Sequence, residues 1–506
     1  MFDLLEYVAW FKKHIKGRDL FLYAAISLLF FVTRLINLDK FPIFTDEGIY
    51  IRWARIAWHD ATWRFISLTD GRQPLQTWAT IPLLKLFPDN MLFAGRLFGV
   101  LSGFAALLGL IVLTYYLFGK KASLIGGFLY VLTPFFLFYD RLALVDSAVN
   151  AGFIWSLFLI ITLARTLRLD VALLYGLAAG ITLLAKSSTR LFMGIGALAP
   201  ILLFKKETKK TSRRLLNFYV LYAISAFLAL VIYNVQRFSP FFHFVSEKNK
   251  TFVLTFGEFV RAPFSQVVGN LPLIPYYVFS ESGHILPFFG LIGLVFLFKK
   301  DRNLAFYFLL WIALPYIAIA FFAKVVYPRY LIFIVMTLLI LCAYFLDKLK
   351  KNFFLTAVII FLLSVGFFDY TILFNQSKIP LPEVDRWQYI EGISAGTGIK
   401  EMVEYAREKS ADKPVILIAE GNFGVSGDML ESSLKSSDRI SIKGYWPLDE
   451  KNLYENQPLV KNSHVFVVFA HREEFPESWP IKKIRVFEKP GGKSSFTLFE
   501  LKPKEN

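Results

Sequence analysis

The chain has 506 residues, of which 56% are hydrophobic and only 19% charged, with 17% aromatics and a mean hydropathy of +0.50. Soluble domains carry roughly a quarter charged residues, so this balance excludes an ordinary soluble protein and predicts an α-helical polytopic membrane protein. The net charge of +17 reflects topology and not nucleic acid: residues 375–506 hold 19 Lys/Arg against 20 Asp/Glu, so the whole basic excess lies before them.

Residues 1–19 (MFDLLEYVAWFKKHIKGRD) are amphipathic and basic. No small-residue cleavage site follows the first apolar run, which is therefore read as a retained helix. Apolar runs at 20–38, 91–118, 122–139, 142–164, 171–186, 191–204, 215–235, 285–298, 303–323, 330–346 and 353–374 predict about eleven spans. Several are shorter than the roughly 20 residues a bilayer asks for, so their boundaries are soft. With the N-terminus cytoplasmic, the inner segments total 48 residues and hold 20 Lys/Arg, including Lys205, Lys206, Lys209, Lys210, Arg213 and Arg214. An odd number of spans then puts the C-terminus outside. The single Cys342 lies in an apolar run, which excludes an intramolecular disulfide.

Three outer segments are long: 39–90, 236–284 and 375–506. The first two are rich in Trp, Phe, Tyr and Pro, and stretches such as IYIRWARIAWHDATWRFI have helical spacing, as interfacial amphipathic helices do. An aromatic belt that only anchors the protein accounts for most of these aromatics. The tail alternates helix (KEMVEYAREKSAD), strand (PVILIAEG), helix (FGVSGDMLESSLKSS) and strands (RISIKGYW, HVFVVFAH), then closes as a hairpin around Pro490-Gly491-Gly492. The expected organisation is a multi-pass domain over 1–375 and an extracytoplasmic α/β domain over 376–506. The loop Glu420-Gly421-Asn422-Phe423-Gly424 reads as a turn and has no dinucleotide fingerprint.

Ionisable residues near membrane depth are costly and mark functional groups. They recur here at successive outer turns: Asp46-Glu47; Arg72; Tyr139-Asp140-Arg141 with Asp146-Ser147; Lys186 with Arg190; Lys324; and Arg329-Tyr330. Two adjacent carboxylates cannot face the same way on a regular element, so one of Asp46 and Glu47 faces a cavity while the other cements the loop, unless both merely cap a helix. Arg141 and Asp146 can pair with each other, and snorkelling explains any one base alone. Carboxylates among fixed cations suit chemistry on a lipid-linked phosphate: cations stabilise the leaving phosphate while a carboxylate orients or deprotonates a hydroxyl.

Asp46-Glu47-Gly48 with Tyr50, Arg72-Gln73-Pro74-Leu75, Arg141-Leu142-Ala143-Leu144-Val145-Asp146-Ser147, Lys186 and Pro328-Arg329-Tyr330 follow one another in order over residues 20–345. In these motifs the chain resembles the GT-C fold membrane glycosyltransferases, specifically the protein O-mannosyltransferase and lipid A aminoarabinose transferase group. The resemblance implies inverting transfer from a polyprenyl-phosphate sugar to a protein, lipid or glycan acceptor at the outer face of the cell membrane. It implies Asp46 as catalytic carboxylate supported by Glu47 and Asp146, and Arg72, Lys186 and Arg329 near the donor phosphate. Arg141 and Arg190, beside these bases, are likewise expected at the donor phosphate, and Tyr50 and Tyr330 are expected to bind substrate. The chain departs from the pattern at Ile49, Gly71 and Gln73. A divalent metal has no support in the residues, since His243 and His284 read as interfacial side chains. A transporter or flippase of a lipid-linked glycan also wants outer cations, but calls for repeats and polar groups at the midplane. A membrane anchor for an envelope-binding tail leaves Asp146 and Lys186 unexplained.

Overall fold

In the computed structural model, residues 16–203, 208–421 and 423–504 are described. Segment 1–15, Lys205, Lys206 and Asn422 therefore lie outside the described residues, as do the side chains of Lys209 and Lys210. Each of the eleven apolar runs falls largely on helix among the described residues. The first is α1 (Gly17–Leu35), followed by α2 (Thr45–His59), two 3₁₀ turns, α3 (Leu75–Leu86) and α4 (Met91–Phe118). The run at 122–139 is divided into α5 (Lys120–Leu132) and α6 (Pro134–Tyr139), because Pro134 brings no N–H to continue the ladder. Then come α7 (Asp146–Thr166), α8 (Leu169–Leu183), α9 (Thr189–Gly196) and α10 (Thr208–Asn234).

The segment after α10 holds α11 (Phe244–Phe252), α12 (Phe256–Arg261) and α13 (Val267–Glu281). α13 meets α14 (Ile285–Lys300) at a bend of 108°. Gly283 and His284 make that corner at φ +80° and +57°, and a β-carbon on Gly283 would lie 2.5 Å from Val365. α15 (Arg302–Phe322), α16 (Ile332–Lys348) and α17 (Lys351–Phe374) complete the helical part. Six helices are long and apolar enough to cross a membrane, or seven with the bent pair, among the described residues.

α16 is apolar on every face and is buried on every face, the condition under which such a helix is stable. α14 approaches it so closely that β-carbons at Gly290 and Gly293 would lie 2.5 and 2.1 Å from the carbonyl oxygens of Leu338 and Leu341, a small-residue contact of the kind membrane helices use. Deeper still, Arg34 and Asp140 are fully buried and face each other at 3.4 Å. Asp140 also accepts from Ser147 Oγ at 2.8 Å, and Gly103 leaves it room.

Beyond α17 the chain forms α18 (Glu383–Arg386), a π-helical turn at Trp387–Glu391, and α19 (Ile399–Ser410). A small α/β unit follows: β1 (Val415–Glu420), α20 (Val425–Glu431), β2 (Ile440–Tyr445), α21 (Glu450–Asn456), β3 (His464–Phe469), β4 (Ile481–Glu488) and β5 (Ser495–Leu501). The sheet order is β2-β1-β3-β5-β4. β1 pairs in parallel with β2 (Val415 opposite Ile440) and β3 (Val415 opposite His464), while β5 runs antiparallel to β3 and β4. Alternation sorts the strands: Ile416, Ile418, Val465 and Val467 pack with Leu453 and Trp479, whereas Leu417, Ala419, Phe466 and Val468 join the main core. Each predicted strand is present, and α21 is an addition.

The sheet unit seats on α2. A β-carbon on Gly48 would lie 2.9 Å from the Asp428 backbone, so α20 and α2 touch backbone to backbone. Arg52 reaches Asp428 at 3.1 Å and Glu431 at 2.9 Å, and Arg55 pairs with Glu431. α2 is thus held between α4 and α20, not laid out as a free amphipathic surface.

Candidate functional site

The two adjacent carboxylates at the start of α2 face opposite ways. Glu47 is fully buried and takes a bidentate grip from Arg96 (2.9 and 2.8 Å), together with the backbone N–H groups of Ala143 (2.7 Å) and Phe44 (2.9 Å). Arg96 in turn donates to the carbonyls of Leu38, Phe41 and Pro42. Glu47 thereby ties the 38–44 loop, α2, α4 and the 141–145 turn together, with every lone pair engaged. Of the two adjacent carboxylates, Glu47 is the one that cements the loop, and it has no open face.

Asp46 keeps a side chain that is 19% exposed, with Oδ1 3.0 Å from Arg72 and Oδ2 3.7 Å from Arg329. Burial alone would raise its pKa, but Arg72, Arg329 and Lys248 outweigh burial and hold the carboxyl below the ordinary aspartate range. Tyr50, one helical turn on, lies under the Arg72 guanidinium at 5.2 Å.

A second ion pair completes the cluster. Lys186 bonds Asp146 at 2.8 Å and stands 4.3 Å over the ring of Tyr330. Arg329, packed by Phe44, Tyr327 and Tyr330, joins this pair to Asp46. Seven predicted residues therefore meet: Asp46, Tyr50, Arg72, Asp146, Lys186, Arg329 and Tyr330. Gln73, a departure from the expected double proline, donates to Ser187 Oγ at 2.6 Å and anchors the 184–187 turn that carries Lys186.

Two predicted cations are placed elsewhere. Arg141 does not pair with Asp146; it donates to the carbonyls of Thr33, Arg34 and Asn37 at 2.8, 2.9 and 3.2 Å, satisfying the exposed end of α1. Arg190 bonds the hydroxyl of Tyr233 at 2.8 Å and lies over that ring, facing α10. Those contacts engage both side chains away from the cluster around Asp46. Lys324 pairs with Glu258 at 2.8 Å, and His243 contacts the Pro240 carbonyl.

Four neighbours of the cluster escaped the sequence reading. Asp70 bridges Arg72 (3.0 Å) and Lys248 (2.8 Å), extending the cluster onto α11. Gly71 permits this: at φ +67°, a β-carbon there would lie 2.4 Å from Phe244 O and 2.5 Å from Lys248 Cβ. Gln388 and Tyr389 both accept from Arg329 Nη1, at 3.0 and 2.7 Å. The charged pairs of SLTDGRQ and SEKNK held a signal for Asp70 and Lys248, whereas Gln388 and Tyr389 carried none. The cluster thus sets Arg72, Lys186, Lys248 and Arg329 against Asp46, Asp70 and Asp146, one positive charge in excess. Among the described residues no three His, Cys, Asp or Glu side chains gather to hold a metal ion, and the carboxylates here are faced by cations, a donor set that does not fit one.

Comparison with known proteins bears on this geometry. The family model described as dolichyl-phosphate-mannose-protein mannosyltransferase matches residues 72–234, a stretch that includes Arg72, Asp146 and Lys186. No curated protein matches the chain by sequence. Among solved structures, ArnT from Cupriavidus metallidurans in the apo state superposes with TM-score 0.63 at 14% identity, covering 96% of this chain and 98% of that one. ArnT bound to undecaprenyl phosphate gives 0.62 over the same shares. The archaeal oligosaccharyltransferase AglB from Archaeoglobus fulgidus, in complex with an inhibitory peptide and a dolichol-phosphate, gives 0.52 at 14% identity, covering 91% of this chain and 70% of that one. The chain therefore has the fold of ArnT and AglB.

Proposed function

We propose that this chain is an inverting glycosyltransferase that moves a sugar from a polyprenyl-phosphate donor to an acceptor hydroxyl at the outer face of the cell membrane. In this reading the eleven apolar runs cross the bilayer, the N-terminus is cytoplasmic, and the domain over 376–506 is extracytoplasmic. The observation that carries it is Asp46: an ionised, partly open carboxylate fixed between two arginines inside a cluster with surplus positive charge.

Asp46 accepts the proton of the acceptor hydroxyl as its oxygen attacks the anomeric carbon. The bond from that carbon to the donor phosphate oxygen breaks, and the electron pair leaves with polyprenyl phosphate. Arg329, Lys186 and Arg72 stabilise the charge that grows on the phosphate, with donors fixed in advance by their own partners. A phosphate enters here by loosening Arg72 and Arg329 from Asp46, exchanging one anion for another. Asp146 holds the Lys186 ammonium, and Tyr50 and Tyr330 present ring faces beside the two cations. The acceptor is a hydroxyl of a protein, lipid or glycan.

The test is transfer of labelled sugar from polyprenyl-phosphate mannose, glucose and aminoarabinose by purified protein with membrane extract as acceptor source. Release of polyprenyl phosphate with label appearing in the extract supports the reading. Binding of all three donors without consumption of any overturns it.

A further inference from the structure

The region after α17 was expected to be a separate domain, yet one short turn of it reaches into the proposed active site. Gly392 N–H donates to the carbonyl of Trp387 at 2.8 Å, a bond spanning five residues, so Trp387–Glu391 is a true π-turn. Such turns are rare and concentrate at functional sites. This one sets two consecutive side chains, Gln388 and Tyr389, on the same nitrogen of Arg329. Gly392 is required at its end, because a β-carbon would lie 2.4 Å from Trp387 O and 2.7 Å from the indole.

The turn is clamped from the far side by the β4–β5 hairpin. Glu391 is gripped by Arg386 and by Lys493 at 3.0 Å. Ser494 Oγ donates to the Glu391 carbonyl at 2.6 Å, and the buried Lys489 ammonium to the Gly392 carbonyl at 2.9 Å. Tyr389 itself is fully buried against Phe44 and Phe138, which fixes its hydroxyl. A contiguous physical chain thus runs from hairpin to Glu391, π-turn, Arg329 and Asp46.

We propose that Gln388 and Tyr389 are positioning residues for the donor phosphate, and that the C-terminal unit is required for donor binding whatever the acceptor. This rests on Arg329 meeting a phosphate, as in the function proposed above. Arg329 has a long, flexible side chain; two neutral acceptors on Nη1 leave its Nη2 edge directed at Asp46 and at any anion replacing it. Neutral partners hold the guanidinium without cancelling its charge, which a carboxylate at 388 or 389 would do.

The experiment uses full-length protein and polyprenyl phosphate as probe, comparing wild type, Tyr389→Phe, Gln388→Leu and Glu391→Gln. Binding is read directly with labelled polyprenyl phosphate, and kinetics with sugar donor and acceptor varied separately. Hydrogen bonds to a charged group are worth enough that losing one weakens a correctly aimed contact roughly tenfold. Tyr389→Phe is expected to weaken polyprenyl-phosphate binding and raise the donor KM by about that factor, with acceptor KM unchanged, and Gln388→Leu to act in the same direction. Wild-type donor affinity in both variants overturns the inference, as does a rise in acceptor KM alone. If wild type itself fails to bind polyprenyl phosphate, the proposed function falls first. Tyr389→Phe removes one oxygen and leaves the ring, and the more distant Glu391→Gln supplies an independent reading should it unfold: it is expected to follow the same pattern, and unchanged donor binding there refutes the hairpin's part.

Discussion

Replacing Glu47 by glutamine separates a positioning carboxylate from a catalytic one. The structure gives Glu47 two bonds from Arg96 and two from backbone N–H groups, all inside a fully buried socket. Glutamine keeps one acceptor oxygen but turns an NH₂ toward groups that only donate, and it leaves the Arg96 charge buried without its counter-ion. Breaking a buried pair on one side costs about 3–5 kcal/mol, against roughly 0.5 for an ordinary surface change. At roughly 2–4 °C per kcal/mol for a large domain, the melting midpoint in detergent falls by on the order of 6–20 °C. The assay is thermal unfolding of detergent-purified protein followed by tryptophan fluorescence, with Glu47→Gln and Asp46→Asn side by side. Asp46, partly open and held by one hydrogen bond from Arg72 and the charge of Arg329, changes the midpoint far less. A Glu47→Gln protein that melts like wild type and yet cannot transfer sugar would refute the positioning role and return Glu47 to the chemistry.

Gly48→Ala places a methyl 2.9 Å from the Asp428 backbone; overpacking of this kind costs about 1–3 kcal/mol. It is expected to loosen the sheet unit, read as faster proteolytic cleavage between residues 375 and 415, and wild-type resistance would refute the tight seat. Lys186→Met removes a cation whose partner Asp146 remains, and is expected to raise donor KM at least tenfold while acceptor KM holds. Asp385 is fully buried, shares the Tyr139 hydroxyl with Glu281, and has its pKa pushed up by burial. The folded state then binds more protons than the unfolded one between about pH 4 and about pH 6, so stability falls as pH rises through that window, and Asp385→Asn is expected to stabilise at pH 8 but not at pH 4. A gain at pH 4 alone would contradict the sign. Asp46 has the opposite shift: the acid limb of the transfer rate is expected below the ordinary aspartate value of about 3.9, and a limb near pH 6 would contradict its grip by Arg72 and Arg329.

The helices were legible because hydropathy reports them directly, and the short apolar runs of β1, β3 and β5, bounded by polar and turn residues, marked the strands. The breaks were harder. Thr133-Pro134 could be read as a break, but the bend at Gly283-His284 depends on a left-handed histidine that tertiary packing imposes. At the site, charges at membrane depth marked Asp46, Arg72, Asp146, Lys186 and Arg329, since their cost demands a reason. The same rule did not separate Arg141 from these, because satisfying the carbonyls at the end of a helix is an equally good reason for a buried arginine and leaves no trace in spacing. Glu47 shows the same limit: its counter-ion Arg96 lies 49 residues away on α4, and only the fold brings them together. Gln388 and Tyr389 are ordinary residues whose role comes from a π-turn, which no local pattern announced.

The most direct measurement is release of polyprenyl phosphate in a single turnover, wild type against Asp46→Asn, at matched folded protein and saturating donor. The account predicts donor binding within a few fold of wild type and transfer reduced by at least 10²-fold, the scale lost when a positioned acid or base is removed. Transfer by Asp46→Asn at the wild-type rate would contradict it.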